Sequence, residues 1–345
     1  DKTTESYIRS LKQQGFNSLR IPTSWVAGHL TDKENMTIDP VWMKRIKEIV
    51  NYGLNAGLCV IINEHWDGGW MEHDAFTSGA NVAEHKEMFR KLWTNIAKEF
   101  KTYDQRVLFA ALNEPGVGGA SPQVQGDMLA PDSKEFTDRL LAYEQVFIDA
   151  VRATGGNNAS RVLIVQTPKT EIDLAAKDSY DITRLKDKVK NCLMAEVHFY
   201  DPYQFTDMSE DKDWGKYYLY WGKNNQGGDA DRTADAKYNE DYVEAQMKKM
   251  KTNFFDKGYP VLIGEFGANQ RMAIGKDALH DASVKDYYKA VVTSAINNGC
   301  VPVAWDTNGN YPSMTIFNRA GASVSNANML ESIKAAVAAA KWPAK

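Results

Sequence analysis

Along this chain, short continuous apolar runs alternate with stretches in which apolar residues recur every three to four positions. The first pattern marks strands buried on both faces, and the second marks amphipathic helices. The run from Val107 to Leu112 stops abruptly at Asn113-Glu114-Pro115. Pro115 cannot continue a central strand, and it pushes Glu114 towards extended geometry. A carboxylate therefore stands at the carboxyl end of a buried strand, with an amide beside it. Residues 260 to 268, Pro-Val-Leu-Ile-Gly-Glu-Phe-Gly-Ala, repeat the arrangement around Glu265.

The same reading extends over the whole chain. Helices are predicted over 4–14, closed by Gly15, over 40–56 behind Pro40, and over 82–103 with Phe89, Leu92, Trp93, Ile96 and Phe100 at helical spacing. Further helices are marked by Leu140, Tyr143, Phe147 and Val151, by Val243, Met247, Met250 and Phe254, by Val284, Tyr288, Val291 and Ala295, and by Leu330, Ile333 and Val337. Strands are predicted near residues 20, 62, 110, 164, 196, 263 and 303, and a loosely helical segment reaches Asn191. Residues 201–237 show no clean period, and a loop of that length inside a compact domain is usually functional.

The alternation runs without a linker, which predicts one α/β domain over residues 1–345, of the (β/α)8-barrel type. Eight helices face only seven strands, and the chain opens on a helix where a barrel opens on a strand. The first strand is either trimmed or naturally absent. Two exposed strand edges would follow, and self-association is expected to cover them.

Composition narrows the function. The net charge of −4 argues against a nucleic-acid partner. No apolar run is long enough to cross a membrane. The three cysteines have no Cys-x-x-Cys spacing and read as buried thiols. Nine Trp and sixteen Tyr allow aromatic faces for stacking on sugar rings or bases. Hydrolase elbows, phosphate loops, dinucleotide fingerprints and zinc motifs are absent from the sequence. Asp229–Glu240 has acids at several calcium-loop positions but Ala234 where the glycine belongs, so it reads as a solvated acidic loop open to adventitious calcium. No cofactor and no metal are expected. The chain begins Asp1-Lys-Thr-Thr, without a start methionine or leader, as a mature or trimmed product does.

A lone glutamate after a strand reads as a solvated loop residue, but two of them at two strand ends read as paired carboxylates, one acid and one nucleophile or base. The surrounding motifs resemble those of the glycoside hydrolase family 5 cellulases, in order and over nearly the whole chain. They are Gly15-Phe-Asn-Ser-Leu-Arg-Ile-Pro-Thr-Ser-Trp25, Val60-Ile-Ile-Asn-Glu-His-Trp-Asp-Gly-Gly-Trp70, Asn113-Glu114-Pro115, His198-Phe-Tyr200, Gly264-Glu265-Phe266-Gly267 and Trp305-Asp306.

The resemblance implies a retaining endo-β-1,4-glucanase, with Glu114 as acid/base and Glu265 as nucleophile. A retaining mechanism wants the two carboxyls about 5 Å apart, and roughly 6.5 Å or more would mean inversion. It further implies that Arg20 and Tyr200 hold the nucleophile, that Asn113 bonds the sugar 2-hydroxyl, that His65 and His198 line the site, and that Trp305 is the stacking floor. Trp25, Trp66, Trp70, Trp214 and Trp221 are outer sugar platforms or core packing in equal measure. Glu64 departs from the family pattern, which places an apolar residue before the histidine. It either enters a polar layer of the core or adds a third acid near the site. The expected partner is a β-linked polysaccharide: cellulose or mixed-linkage glucan, with mannan or xylan as the rival polymers. A carbohydrate binder without activity is the rival of another class. Such a polymer lies outside the cell, so a secreted, cell-surface or periplasmic location is expected.

Overall fold

A computed structural model describes residues 3–118 and 127–344. Residues 119–126, in the segment between the strand at Val107–Ala110 and the helix that begins at Lys134, lie outside the described residues. The sheet that organises the chain holds seven strands in strict chain order: β1 (Ser18–Ile21), β2 (Cys59–Asn63), β3 (Val107–Ala110), β4 (Leu163–Gln166), β5 (Leu193–Phe199), β6 (Val261–Phe266) and β7 (Cys300–Ala304). Helices of nine residues or more, among the described residues, are α1 (Glu5–Gln13), α2 (Pro40–Asn55), α3 (Val82–Glu99), α4 (Lys134–Ala153), α5 (Glu240–Asn253), α6 (Ala278–Asn297) and α7 (Ala327–Ala339). This is the α/β order of the (β/α)8-barrel type, with seven barrel strands, as the apolar pattern predicts.

The contacts divide the chain into two compact units, Phe16–Val197 and the remainder. In the first, β1 to β5 pair in parallel, with Ser18 opposite Cys59, Val60 opposite Val107, Phe109 opposite Leu163 and Gln166 opposite Glu196. Helix α2 starts where Asp39 accepts the Val41 N–H and Pro40 supplies a fixed φ at the first helical position. Helix α3 is capped by Asn81 and buries Phe89, Leu92, Trp93 and Ile96, the face that the spacing predicts. Helix α4 is capped by Ser133 and packs Phe136, Tyr143 and Phe147 inward. Tyr143 meets Phe89 edge-on and Phe147 meets Trp93 the same way, so α3 and α4 share one aromatic seam.

The second unit pairs β6 with β7 in parallel, Val261 opposite Cys300, with an irregularity between Ile263 and Phe266. Helices α5, α6 and α7 are capped by Asn239, Asp277 and Asn326. A short antiparallel pair, Phe317–Asn318 with Ser323–Val324, follows β7, and Phe317 packs edge-on against Tyr7 of α1.

Several expectations change in detail. The segment after β4 is not a full helix: it forms one turn at Ile172–Ala175 and a 3-10 turn at Ile182–Arg184. Its buried residues Ile172, Leu174, Ile182 and Leu185 lack a helical period, and Lys169, Thr170 and Asn191 take positive φ. Only Cys300 of the three free thiols is buried. Cys59 is exposed at the first position of β2, and Cys192 is half-buried just before β5. Residues of β3 to β6 are almost all buried, whereas β7 is half-exposed after Cys300 and β1 is half-exposed apart from Arg20. β1 and β7 also occupy the two ends of the strand order. No helix of the described residues is long and apolar enough to cross a membrane.

Candidate active site

The carboxyl ends of the strands gather the polar side chains. In the first unit, β3 runs into Asn113 and Glu114, whose turn is closed by the Gly116 N–H donating to the Glu72 carbonyl at 2.6 Å. Gly116 has φ +89°, and a Cβ there would lie 2.6 Å from the Phe136 ring, so only glycine fits. Asn113 is buried, and Glu114 is half-buried.

A buried chain of polar groups holds Asn113. Arg20 Nη2 donates to Asn113 Oδ1 at 2.9 Å and pairs with Glu196 Oε1 at 3.1 Å. The other Glu196 oxygen accepts from Gln166 Nε2 at 2.6 Å, and Gln166 Oε1 accepts the Leu112 N–H at 2.8 Å. The parallel register that sets Gln166 beside Glu196 makes this link, and period-two alternation places Glu196 and His198 on one face of β5.

His65 follows β2 and is half-buried, with Nδ1 3.2 Å from Asn63 Nδ2. Asn63 also accepts the Thr23 N–H, which ties the end of β2 to the loop after β1. That loop wraps around the Asp67 carboxylate, which accepts from the Ser24 hydroxyl and from the N–H groups of Trp25, Val26 and Ala27 at 2.6 to 2.8 Å.

In the second unit, the Tyr200 hydroxyl donates to Glu265 Oε2 at 3.0 Å. His198 Nδ1 lies 3.7 Å from the same oxygen. Glu265 and His198 are both buried. Gly267, two residues on, leaves no room for a side chain, because a Cβ would meet Met314 Sδ at 2.7 Å. Trp305 directly follows β7, is half-buried, and donates its backbone N–H to Phe266 at 2.9 Å.

The family described as Cellulase (glycosyl hydrolase family 5) matches residues 1–311. The chain belongs to glycosyl hydrolase family 5. Among curated relatives, a xyloglucan-specific endo-β-1,4-glucanase of Bacteroides ovatus is 34% identical over 87% of this chain and 56% of its own length. Endoglucanase A of Paenibacillus barcinonensis is 30% identical over 96% of this chain and 80% of its own length. Endoglucanase B of Clostridium cellulovorans is 32% identical, and the chain spans 64% of its length. Among solved structures, a family 5 xyloglucan-specific β-1,4-glucanase from a ruminal metagenomic library, in complex with XXLG, is 39% identical with a TM-score of 0.88. That match covers 99% of this chain and 89% of the other. These findings bear out the glycoside hydrolase reading of the motifs and the barrel fold class.

Membership in family 5 frames what the aromatic residues do. Trp25 is corrected from sugar platform to core: it is fully buried and its indole N–H donates to the Asn63 carbonyl at 2.8 Å. Trp221 takes the core alternative, stacked on Phe205 and edge-on to Tyr287. Trp70 is largely buried against His85 and Phe89. Trp66 and Trp214 are the exposed ones, at 42% and 65%.

Glu64 joins the core: it is fully buried, and burial with the neighbouring Glu72 and Asp67 pushes its carboxyl well above the usual range. The acids of 229–240 are engaged singly, Asp231 with Lys216 and Glu240 with the Lys223 N–H. Sequence reasoning missed Glu196, Gln166, Asp67 and Glu72. The first two carried a signal, a polar residue within or at the end of a mainly apolar strand. Asp67 and Glu72 sit in irregular chain and carried none.

Proposed function

We propose that this family 5 chain is a retaining endo-β-1,4-glucanase whose residues 1–345 form one catalytic domain. Glu114 donates a proton to the leaving glycosidic oxygen while Glu265 attacks the anomeric carbon. Water then enters, Glu114 takes its proton, and the bond from Glu265 to the sugar breaks with net retention. The observation that carries the reading is the Tyr200–Glu265 hydrogen bond at 3.0 Å, which aims a buried carboxylate from the end of β6. The Arg20–Asn113 contact supports a role for Asn113 at the sugar 2-hydroxyl, since it fixes the amide oxygen and leaves the amide N–H groups to donate. His65 and His198 line the site, Trp305 is the stacking floor, and Arg20 completes the hold on the nucleophile.

The names of the relatives favour a second reading of the substrate. The first curated relative acts on xyloglucan, and two further solved neighbours are xyloglucanases of Bacteroides ovatus and Paenibacillus pabuli, solved with ligands. A branched β-1,4-glucan is therefore the polymer to test beside linear ones. Secretion follows from such a substrate. Self-association, suggested by the half-exposed end strands β1 and β7, is read from light scattering of the purified chain.

The experiment is reducing-sugar release from carboxymethyl-cellulose, lichenan, xyloglucan, glucomannan and xylan, with Glu265→Ala and Glu114→Gln in parallel. Activity on the glucans that falls by about 10²- to 10⁴-fold in both variants is expected, the range of a lost acid–base group. A folded but inactive wild type overturns the proposal and leaves a carbohydrate binder. Activity greatest on mannan or xylan overturns the substrate assignment.

A further inference from the structure

Beneath the loop that follows β2 lie two buried carboxyls that the mechanism above does not use. Glu64 is fully buried, and the Trp70 indole N–H faces its carboxyl. Glu72 is 1% exposed: Oε1 accepts the Trp66 N–H at 2.6 Å, and Oε2 has no partner. A buried polar atom without a partner is costly, and Glu72 Oε2 is one among the described residues.

Glu72 also reaches the catalytic turn. Its carbonyl accepts the Gly116 N–H at 2.6 Å, two residues past Glu114. One residue thus clips together two segments, the turn carrying Glu114 and the loop carrying His65 and Trp66. The loop needs the clip. Trp66 and Asp67 have φ of 59° and 32°, the left-handed region that residues with a side chain avoid unless neighbours hold them there.

We propose that the Glu72 side chain is a positioning group for the exposed Trp66 ring and, through the segment that its own carbonyl ties to the Gly116 turn, for Glu114, rather than a group that touches substrate. The inference rests on the reading of Glu114 as the acid/base. It adds to that reading a third acid whose charge state reports on the site.

The charges around Glu72 decide which state works. Glu64 directly follows β2, Asp67 lies in the loop beyond it, and Glu114 faces Glu72 from the turn after β3. His73 pairs with Asp74 on the same segment, and His85 of α3 stacks on Trp70. Arg139 of α4 caps the carbonyls of Ala75 and Thr77, and its other nitrogen bonds Glu135. Burial and the two acids Asp67 and Glu114 disfavour the Glu72 anion and push its carboxyl up to about 8. Below that pH it is neutral. Above it, Glu72 adds a negative charge to a segment that already carries Asp67, and the segment repels itself.

The test compares wild type, Glu72→Gln, Glu72→Ala and Glu64→Gln in the full chain, on whichever β-glucan the wild type cleaves. Circular dichroism first establishes that each variant is folded. Glu72→Ala is expected to lose tenfold or more in kcat with a smaller change in KM, and Glu72→Gln, a neutral amide of the same shape, to recover most of that loss. The wild-type profile is expected to carry an alkaline step near pH 8, absent in Glu72→Gln and kept in Glu64→Gln. An infrared band of a protonated carboxyl at pH 7, weakened in Glu72→Gln, gives a readout that needs no substrate. An active wild type whose kcat and pH profile Glu72→Ala and Glu72→Gln both reproduce overturns the proposal alone. An inactive folded wild type overturns the reading of the site, and the proposal with it.

Discussion

The Tyr200 hydroxyl donates to Glu265 Oε2 at 3.0 Å, and Tyr200 lies one residue past the end of β5 while Glu265 lies within β6. A hydrogen bond to a charged group is worth roughly 1.5–3 kcal/mol. Tyr200→Phe removes the donor and keeps the ring. If the bond steadies the nucleophile during attack, kcat falls by about 10- to 100-fold while KM moves little. Steady-state kinetics on a soluble β-glucan check this. A rise in KM at unchanged kcat would instead make Tyr200 a binding residue.

Glu196 carries the next prediction. It is fully buried and pairs with Arg20, whose side chain is also buried. Breaking a buried pair by removing one partner leaves the other charge uncompensated, at a cost of about 3–5 kcal/mol. Glu196→Ala is therefore expected to lower the urea midpoint strongly and to lower activity through Arg20 and Asn113. Glu196→Gln keeps an acceptor for Arg20 and is expected to lose less of both. Equal midpoints for the two variants would show that shape rather than charge matters at this position.

The fold was legible because most strands are short, mainly apolar runs and each long helix has a capping residue ahead of a periodic face, as at Asn81 before Phe89 and Trp93. The catalytic candidates were legible because Glu114 and Glu265 interrupt such runs at their ends. Aromatic roles were not. Trp25 and Trp214 look alike in sequence, yet one is buried over Asn63 and the other is exposed beyond β5. Which face of a loop is covered depends on contacts distant in the chain. Asp67 shows the same limit, since the N–H groups it gathers lie about forty residues earlier.

Buried neutral acids make stability depend on pH. The Glu72 carboxyl is held at about 8 in the folded chain against 4.5 for the ordinary group. Below about 4.5 it is protonated in both states, and the stabilisation is fully present. As pH rises from there towards 8, the unfolded chain releases the proton while the folded chain keeps it, so stability falls by about 1.4 kcal/mol per pH unit per such group. Glu64 and Glu144, pushed well above their usual value by burial, act in the same direction. Melting temperatures across this window are expected to fall with rising pH, and to fall less steeply in Glu72→Gln. An unchanged slope in that variant would show that Glu72 keeps no proton in the folded chain.

Gly116 tests whether the turn after Glu114 must be held as it is. Two separate obstacles oppose a side chain there: φ of +89°, and the Phe136 ring 2.6 Å from where a Cβ would stand. Gly116→Ala meets both, and a strained backbone of this kind costs of order 1–3 kcal/mol before any clash. The turn is expected to shift, which disturbs the Gly116–Glu72 hydrogen bond and the aim of Glu114 together. Activity is expected to drop more than the melting temperature alone explains. Shortening the ring separates the two causes. Phe136→Leu in the Gly116→Ala background relieves the clash but leaves φ unfavourable, so it restores part of the melting temperature relative to its own single variant. Full restoration of both stability and activity in the double variant would mean that packing alone, and not backbone conformation, requires glycine after Asn113-Glu114-Pro115.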